Sequence, residues 1–277
     1  MKIPEDVLAV LADQRTVIDG NRVRIGLELE RDLYQRVDKI LKEAGGKWDG
    51  RKKVRAHVFR HNVEDLMHHA ILAGEFVSAR DLGWFPTPPA VVEEMLRHAS
   101  VSENRPGLTV LEPSAGTGAI AGPASARGAM VDCVELDEHR AAALTERCRP
   151  NRVVCGDFLR LDPLDYQQGF QRVLMNPPFK DALTHVDHAI GFLGDDALLV
   201  SVLPESVIWR SDRAHTEFRQ LVETSGGTFV SLPTDAFESV GTRVRTVLAV
   251  LPTGELGALR THSWHRSRPR QAFLFDL

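Results

Sequence analysis

Apolar and polar positions alternate in two distinct ways along the chain, and the change falls near residue 80. Before it, two short β-like runs, Thr16 to Ile18 and Arg22 to Ile25, flank Asp19-Gly20-Asn21, residues that tolerate the positive φ of a hairpin turn. From Leu29 to Ala44 the apolar residues Leu29, Leu33, Val37, Ile40, Leu41 and Ala44 recur at helical spacing, and Gly45-Gly46 ends the segment. Lys47 to Phe59 then reads as a basic turn leading into a strand, and a helix is predicted from about Val63 to Ala73. These elements predict a compact β-β-α-β-α unit.

Beyond Trp84 the pattern becomes strand, helix, strand, helix. Strands are predicted at Thr109 to Glu112, Met130 to Glu135, Arg152 to Cys155, Arg172 to Asn176, Ala197 to Leu203, Thr228 to Leu232 and Arg245 to Leu251. Helical segments fill most of the gaps, which defines an α/β sheet covered by helices. Between the last two strands, Pro233 to Val244 leaves no room for a long helix, so these two are expected to form an antiparallel edge. The organisation expected is therefore a small basic α+β domain over residues 1–80 and a larger α/β domain over residues 81–277.

Composition narrows the function classes. The chain has 277 residues, 43% hydrophobic and 26% charged, which suits a folded enzyme and excludes disorder or a fibrous repeat. A formal net charge of −4 restricts any nucleic-acid contact to a local patch. The three cysteines, Cys133, Cys148 and Cys155, do not make a disulfide framework or a zinc site and are expected to be buried thiols in a reducing compartment. The amino terminus lacks the apolar core of a signal peptide, and no apolar stretch reaches bilayer length, so a cytoplasmic protein without membrane contact is expected.

Four polar residues carry the argument for chemistry. Glu112 ends the first strand of the larger domain, Glu135 ends the second, Asp157 follows the third, and Asn176 ends the fourth. The spacings of 23, 22 and 19 residues each match one strand-helix-strand period, so all four are expected along one sheet edge, where open α/β sheets bind ligands. Glu112 is followed by Pro113-Ser114-Ala115-Gly116-Thr117-Gly118, a glycine turn that brings backbone amides close to a ligand. It also reads as an ordinary strand-to-helix turn. Glu135, with Leu136 behind it, is placed to accept both hydroxyls of a ribose, although many strand ends carry a surface glutamate. Asp157 and Phe158 offer an acceptor and an aromatic wall for an adenine, or a simple turn.

Asn176-Pro177-Pro178-Phe179 is the most informative run. Two prolines after a buried strand hold the backbone extended and remove two amide donors. The Asn176 side-chain oxygen and the Pro177 carbonyl are then a pair of acceptors beside the flat face of Phe179. That combination suits a planar aromatic amine.

The ordered motifs F-P-T-P-P (Phe85 to Pro89), L-E-P-S-A-G-T-G (Leu111 to Gly118), V-E-L-D, G-D-F and N-P-P-F resemble those of the gamma-type amino-methyltransferases. Those enzymes use S-adenosylmethionine to methylate N6 of adenine in DNA. The resemblance covers roughly residues 84 to 251. It implies a Rossmann-like, seven-stranded class I methyltransferase sheet behind the small N-terminal α+β domain. It also implies roles by position. Thr87, Glu112, Gly116, Thr117 and Gly118 would lie around the methionine part of S-adenosylmethionine, Glu135 and Leu136 at the ribose, and Asp157 and Phe158 at the cofactor adenine. Asn176, Pro177 and Phe179 would hold the target base, flipped from its duplex or met single-stranded.

Many relatives that read a defined sequence carry a large recognition domain, and little chain remains for one here. DNA contact is therefore expected from Lys47, Trp48, Arg51, Lys52, Lys53 and Arg55, with Arg60 close by. A solvated hairpin with Trp48 in a small core reads equally well, and residues 1–80 suit dimerisation as readily as DNA. A second basic cluster, Arg260, Arg266, Arg268 and Arg270 around Trp264, suits phosphates or a soluble tail. The histidines lack partners at metal-ligand spacing, so no metal is expected. The same chemistry on a guanine amine in ribosomal RNA or on a protein glutamine amide stays open, as does a non-catalytic nucleic-acid-binding regulator.

Overall fold

The computed structural model describes residues 2–60, 63–75, 85–166, 168–240, 242 and 244–253. The arginine cluster around Trp264 lies outside the described residues, as do Trp84 and Gly241. The chain divides into two compact units. One is built from the residues through Pro86 with the short segment beginning at Phe237, the other from Thr87 to Ala236 and from Val244 onward.

The first unit contains α1 (Glu5–Ala12), β1 (Thr16–Asp19), β2 (Arg22–Ile25), α2 (Arg31–Glu43), β3 (Lys47–Asp49), β4 (Ala56–Val58) and α3 (Glu64–Ala73). Its strands pair in the order β1-β2-β4-β3, all antiparallel. Gly20, at φ +56°, makes the tight β1–β2 turn possible. Val7, Val10 and Leu11 of α1 share one buried cluster with Val23, Val37, Ile40, Leu41, Phe59 and Met67.

Two of these elements depart from the β-β-α-β-α expectation. Helix α1 is eight residues long with no side-chain cap, so its stability comes from docking Val7, Val10 and Leu11 rather than from any start signal. Strand β3 lies inside the segment read as a basic turn. Lys47-Trp48-Asp49 has no apolar alternation, because an outer strand is held by its main-chain bonds to β4.

The second unit contains α4 (Pro89–His98), β5 (Thr109–Glu112), α5 (Ala121–Ala126), β6 (Met130–Glu135), α6 (Glu138–Cys148) and β7 (Arg152–Cys155). It continues through β8 (Phe170–Met175), α7 (Ala182–Ile190), β9 (Leu193–Pro204), α8 (Arg213–Thr224), β10 (Thr228–Ser231) and β11 (Thr246–Pro252). Seven strands form one sheet in the order β10-β11-β9-β8-β5-β6-β7. The five strands from β9 to β7 run parallel.

The last two strands do form the antiparallel edge expected of them, in the reverse of chain order. β11 is inserted between β9 and β10 and runs antiparallel to both, leaving β10 outside. The central strands are covered on both faces. Val173, Met175, Leu199, Leu203, Val247 and Ala249 pack in one cluster with α7 and α8, while Leu174, Val200, Val202 and Leu248, of opposite parity, are also buried.

The cysteine expectation is corrected in part. Cys133 is buried, but Cys148 is half-buried and Cys155 exposed, because β7 is an edge strand with only one side covered. Among the described residues no helix is long and apolar enough to cross a membrane.

Candidate active site at the carboxyl edge of the sheet

Strand order creates the site. β5 pairs with β6 on one side and β8 on the other, so the chain leaves β5 at the point where sheet order reverses, the place beyond the strand ends where open α/β sheets bind ligands. Glu112 and Glu135 are the last residues of β5 and β6. Asp157 stands two residues beyond β7, and Asn176 directly follows β8. Because these strands are parallel neighbours, all four residues lie along one edge.

Glu135 is buried and heavily engaged. The Gly116 amide donates to its Oε2 at 2.7 Å, and the Asp137 amide donates to Oε1 at 2.9 Å. Arg140, at the start of α6, donates to the same Oε1 through Nε and Nη2 at 2.9 and 2.7 Å. Besides the ribose role expected of it, this carboxylate anchors the glycine turn and pairs with Arg140, whose part the sequence does not show directly. The available signal was Asp137, which caps α6 by accepting from the Arg140 amide and so turns Arg140 back towards the strand end. Leu136, the next residue, is 69% exposed and offers an apolar surface beside the carboxylate.

Glu112 is only 2% exposed, and its Oε2 has no hydrogen-bond partner. Burial, opposed by a hydrogen bond from the Ala121 amide and reinforced by Glu135, raises its carboxyl well above the ordinary 4.5. The folded protein therefore holds a proton that the unfolded chain releases above that value. The corresponding stability is complete below pH 4.5 and is lost as pH rises towards the folded value. Glu112→Gln is expected to remove this loss, so that wild type and variant differ in slope by about 1.4 kcal/mol per pH unit in that window. Unfolding followed in both proteins across the window checks it; parallel profiles would show that Glu112 is not the proton carrier.

The turn after β5 is held by two glycines with different duties. Gly116, at φ +57°, presents its amide to Glu135. Gly118, at φ +90°, is needed for packing, since a Cβ there would lie 2.1 Å from Cys148 Sγ and 2.8 Å from Leu144 Cδ1 on α6. Gly118→Ala is thus expected to destabilise by about 2–4 kcal/mol, from overpacking and the left-handed backbone together. A thermal melt checks this, and adding Cys148→Ala should recover part of the loss. Thr117 is buried between them, its carbonyl 3.6 Å from Cys148 Sγ. The helix after this turn begins at Ala121.

Asp157 is half-exposed. It caps a short 3₁₀ turn by accepting from the Leu159 amide at 3.0 Å, and it faces Arg160 at 3.4 Å. Phe158 is 3% exposed. Its ring packs on His188 (4.8 Å between centroids), Phe192 (5.1 Å) and His185 (6.3 Å). It is a core residue rather than an open wall.

At the end of β8 the Asn176 side-chain amide donates to Thr87 Oγ1 at 3.1 Å, which fixes the orientation of the amide group. Thr87 is itself buried, in the extended segment leading to α4. Pro177 is buried, and Phe179 is half-buried at the start of a 3₁₀ turn running into α7. The pairing of Thr87 with Asn176 joins two motifs 89 residues apart, which the sequence reading had given separate roles. Among the described residues no group of three or more His, Cys, Asp or Glu side chains is placed to hold a metal ion.

The larger unit has the Rossmann-like fold of the class I S-adenosylmethionine-dependent methyltransferases. It is similar to the methyltransferase subunit of a type I restriction-modification system from Streptococcus thermophilus, at 19% identity and a TM-score of 0.54. That match covers 80% of this chain and 54% of the subunit, so the chain spans about half of the subunit's length. A Listeria monocytogenes protein provisionally described as a class I S-adenosylmethionine-dependent methyltransferase is similar at 12% identity and a TM-score of 0.51. There the match covers 90% of this chain and 87% of the other. At these identities the likeness is one of fold. No protein-family model matches the chain, and no curated protein matches it in sequence.

Proposed function

We propose that the protein transfers a methyl group from S-adenosylmethionine to the N6 amine of an adenine in DNA, with short or relaxed sequence preference. The observation that carries this reading is the Asn176-Pro177-Pro178-Phe179 run at the sheet edge, its Asn176 amide fixed by Thr87 and its position one strand from Glu112. The fold and the likeness to a restriction-modification methyltransferase subunit support it.

The donor set fits the cofactor. The Glu135 carboxylate, whose Oε2 takes one described donor, suits ribose hydroxyls, and the exposed Leu136 suits the face of a heterocycle. Asp157 suits an amine, with Phe158 supporting it from the core. Glu112, Gly116, Thr117 and Gly118 form the turn that would receive the methionine part, with Thr87 held beside Asn176. S-adenosylmethionine supplies a methyl group on a sulfonium, a leaving group that needs no further activation.

The chain's own residues supply orientation. Asn176 Oδ1 and the Pro177 carbonyl accept the two hydrogens of the adenine amine, drawing its lone pair out of conjugation with the ring. Phe179 stacks on the base. Proximity and oriented acceptors account for the rate, and no general base is required because the proton leaves a cationic product.

The test is incubation of the protein with tritium-labelled S-adenosylmethionine and separate panels of duplex DNA, single-stranded DNA, ribosomal RNA and protein extract, followed by digestion to monomers. Label in N6-methyladenine from DNA is expected. Label confined to RNA or protein would keep the cofactor site and overturn the substrate.

A further inference from the structure

The small unit has a cavity of about 450 Å³ at the open edge of its sheet, lined by Lys47, Trp48, Gly50, Arg51, Phe59 and Arg60 among others. We propose that this cavity receives a single unpaired nucleotide of a nucleic-acid strand, its base stacked on Trp48 and its phosphates on Lys47 and Arg60. The inference rests on the nucleic-acid part of the reading above and not on its chemistry.

Trp48 sits on the outer strand β3 and is 45% exposed, although Tyr34 and His57 hold it in place at centroid distances of 6.5 and 5.2 Å. It is therefore a fixed aromatic surface open to solvent, which is what a stacking platform requires. The backbone at Gly50 runs close along the indole, where a Cβ would lie 3.2 Å from Nε1.

The charges around the ring differ in availability. Arg51 is tied to Asp49, its amide and Nε donating to the carboxylate at 3.1 and 3.0 Å, and that contact holds the Asp49 carboxyl below its usual range. Lys47 and Arg60 are exposed and join no ion pair among the described residues. Lys52, Lys53 and Arg55 flank the cavity without lining it. On a protein of net charge −4, a fixed aromatic ring in a cavity also lined by two available cations suits a flat ring carrying an adjacent anion. A paired duplex keeps its bases stacked and cannot fill such a cavity; an unpaired nucleotide can.

The test measures fluorescence anisotropy of the full chain with a labelled single-stranded thymidine oligonucleotide, an abasic strand of equal length, the matching duplex, and an RNA strand. The Asn176→Ala protein is run alongside, so that strand binding is read independently of methyl transfer. Wild type and Asn176→Ala are expected to prefer the base-bearing strand over the abasic one. Trp48→Ala is expected to erase that preference and weaken base-bearing binding by about five- to a hundredfold, with Trp48→Phe retaining most of it. Lys47→Gln with Arg60→Gln is expected to reduce the salt slope by about 1.4. Tighter binding of the RNA strand would keep the site and make its strand RNA. Equal binding of abasic and base-bearing strands by wild type, or of duplex and single strand, would overturn the proposal whether or not any variant folds.

Discussion

Asn176→Ala is expected to lower the rate of methyl transfer by about a hundred- to a thousandfold, the usual cost of removing one oriented hydrogen-bonding group from a transition state. Cofactor affinity should stay largely unchanged, because the residues proposed to hold the cofactor belong mainly to the turns after β5, β6 and β7. The geometry adds a second arm. Asn176 is oriented by its bond to Thr87, so Thr87→Ala should also slow transfer, by less, while Thr87→Ser keeps the hydroxyl and most of the rate. Single-turnover measurements with labelled cofactor, paired with equilibrium dialysis, separate the two quantities. Full activity in Asn176→Ala would remove the mechanism.

Glu135→Ala should be the most damaging change to the fold and to cofactor binding together. It deprives the Gly116 and Asp137 amides of their acceptor and takes the Glu135 carboxylate away from the Arg140 guanidinium, whose side chain is only 11% exposed. Breaking a buried ion pair from one side costs about 3–5 kcal/mol. At about 2–4 °C per kcal/mol for a domain of this size, the melting temperature should fall by about 6–20 °C. Glu135→Gln, which keeps an acceptor oxygen, should lose less. The melts are repeated with S-adenosylmethionine present. A ligand at a hundred times its dissociation constant stabilises by about 2.7 kcal/mol, and that increment should vanish in the alanine variant. If the increment survives, Glu135 supports the turn but does not touch the cofactor.

The parallel strands were legible because each is a run of apolar residues closed by a polar one, and that regularity places Glu112, Glu135, Asp157 and Asn176 on a common edge without any knowledge of their contacts. What escaped was whatever depends on partners distant in the chain. Helix α1 is too short to announce itself, and β3 is too polar. Phe158 looks in sequence like a wall for a ligand, yet three aromatic rings from α7 and its C-terminal turn enclose it. Gly118 looks like a close approach to a ligand, yet the neighbour it makes room for is Cys148. Arg140 is signalled only indirectly, by the Asp137 cap that accepts from its amide, since its role depends on contact with Glu135 at the strand end.

The insertion of β11 between β9 and β10 governs the order in which the sheet can be completed during synthesis. β10 is made before β11 but among the described residues pairs laterally only with β11, and β9 likewise has one side open until β11 arrives. A nascent chain ending before Thr246 therefore carries two unpaired strand edges separated by a strand-wide gap, the arrangement most prone to pairing with a neighbouring chain. The seven mostly apolar residues from Thr246 to Pro252 pair on both sides, so the sheet cannot close before they are made. The last strand of the sheet is in this sense its keystone, and the earlier strands wait for it.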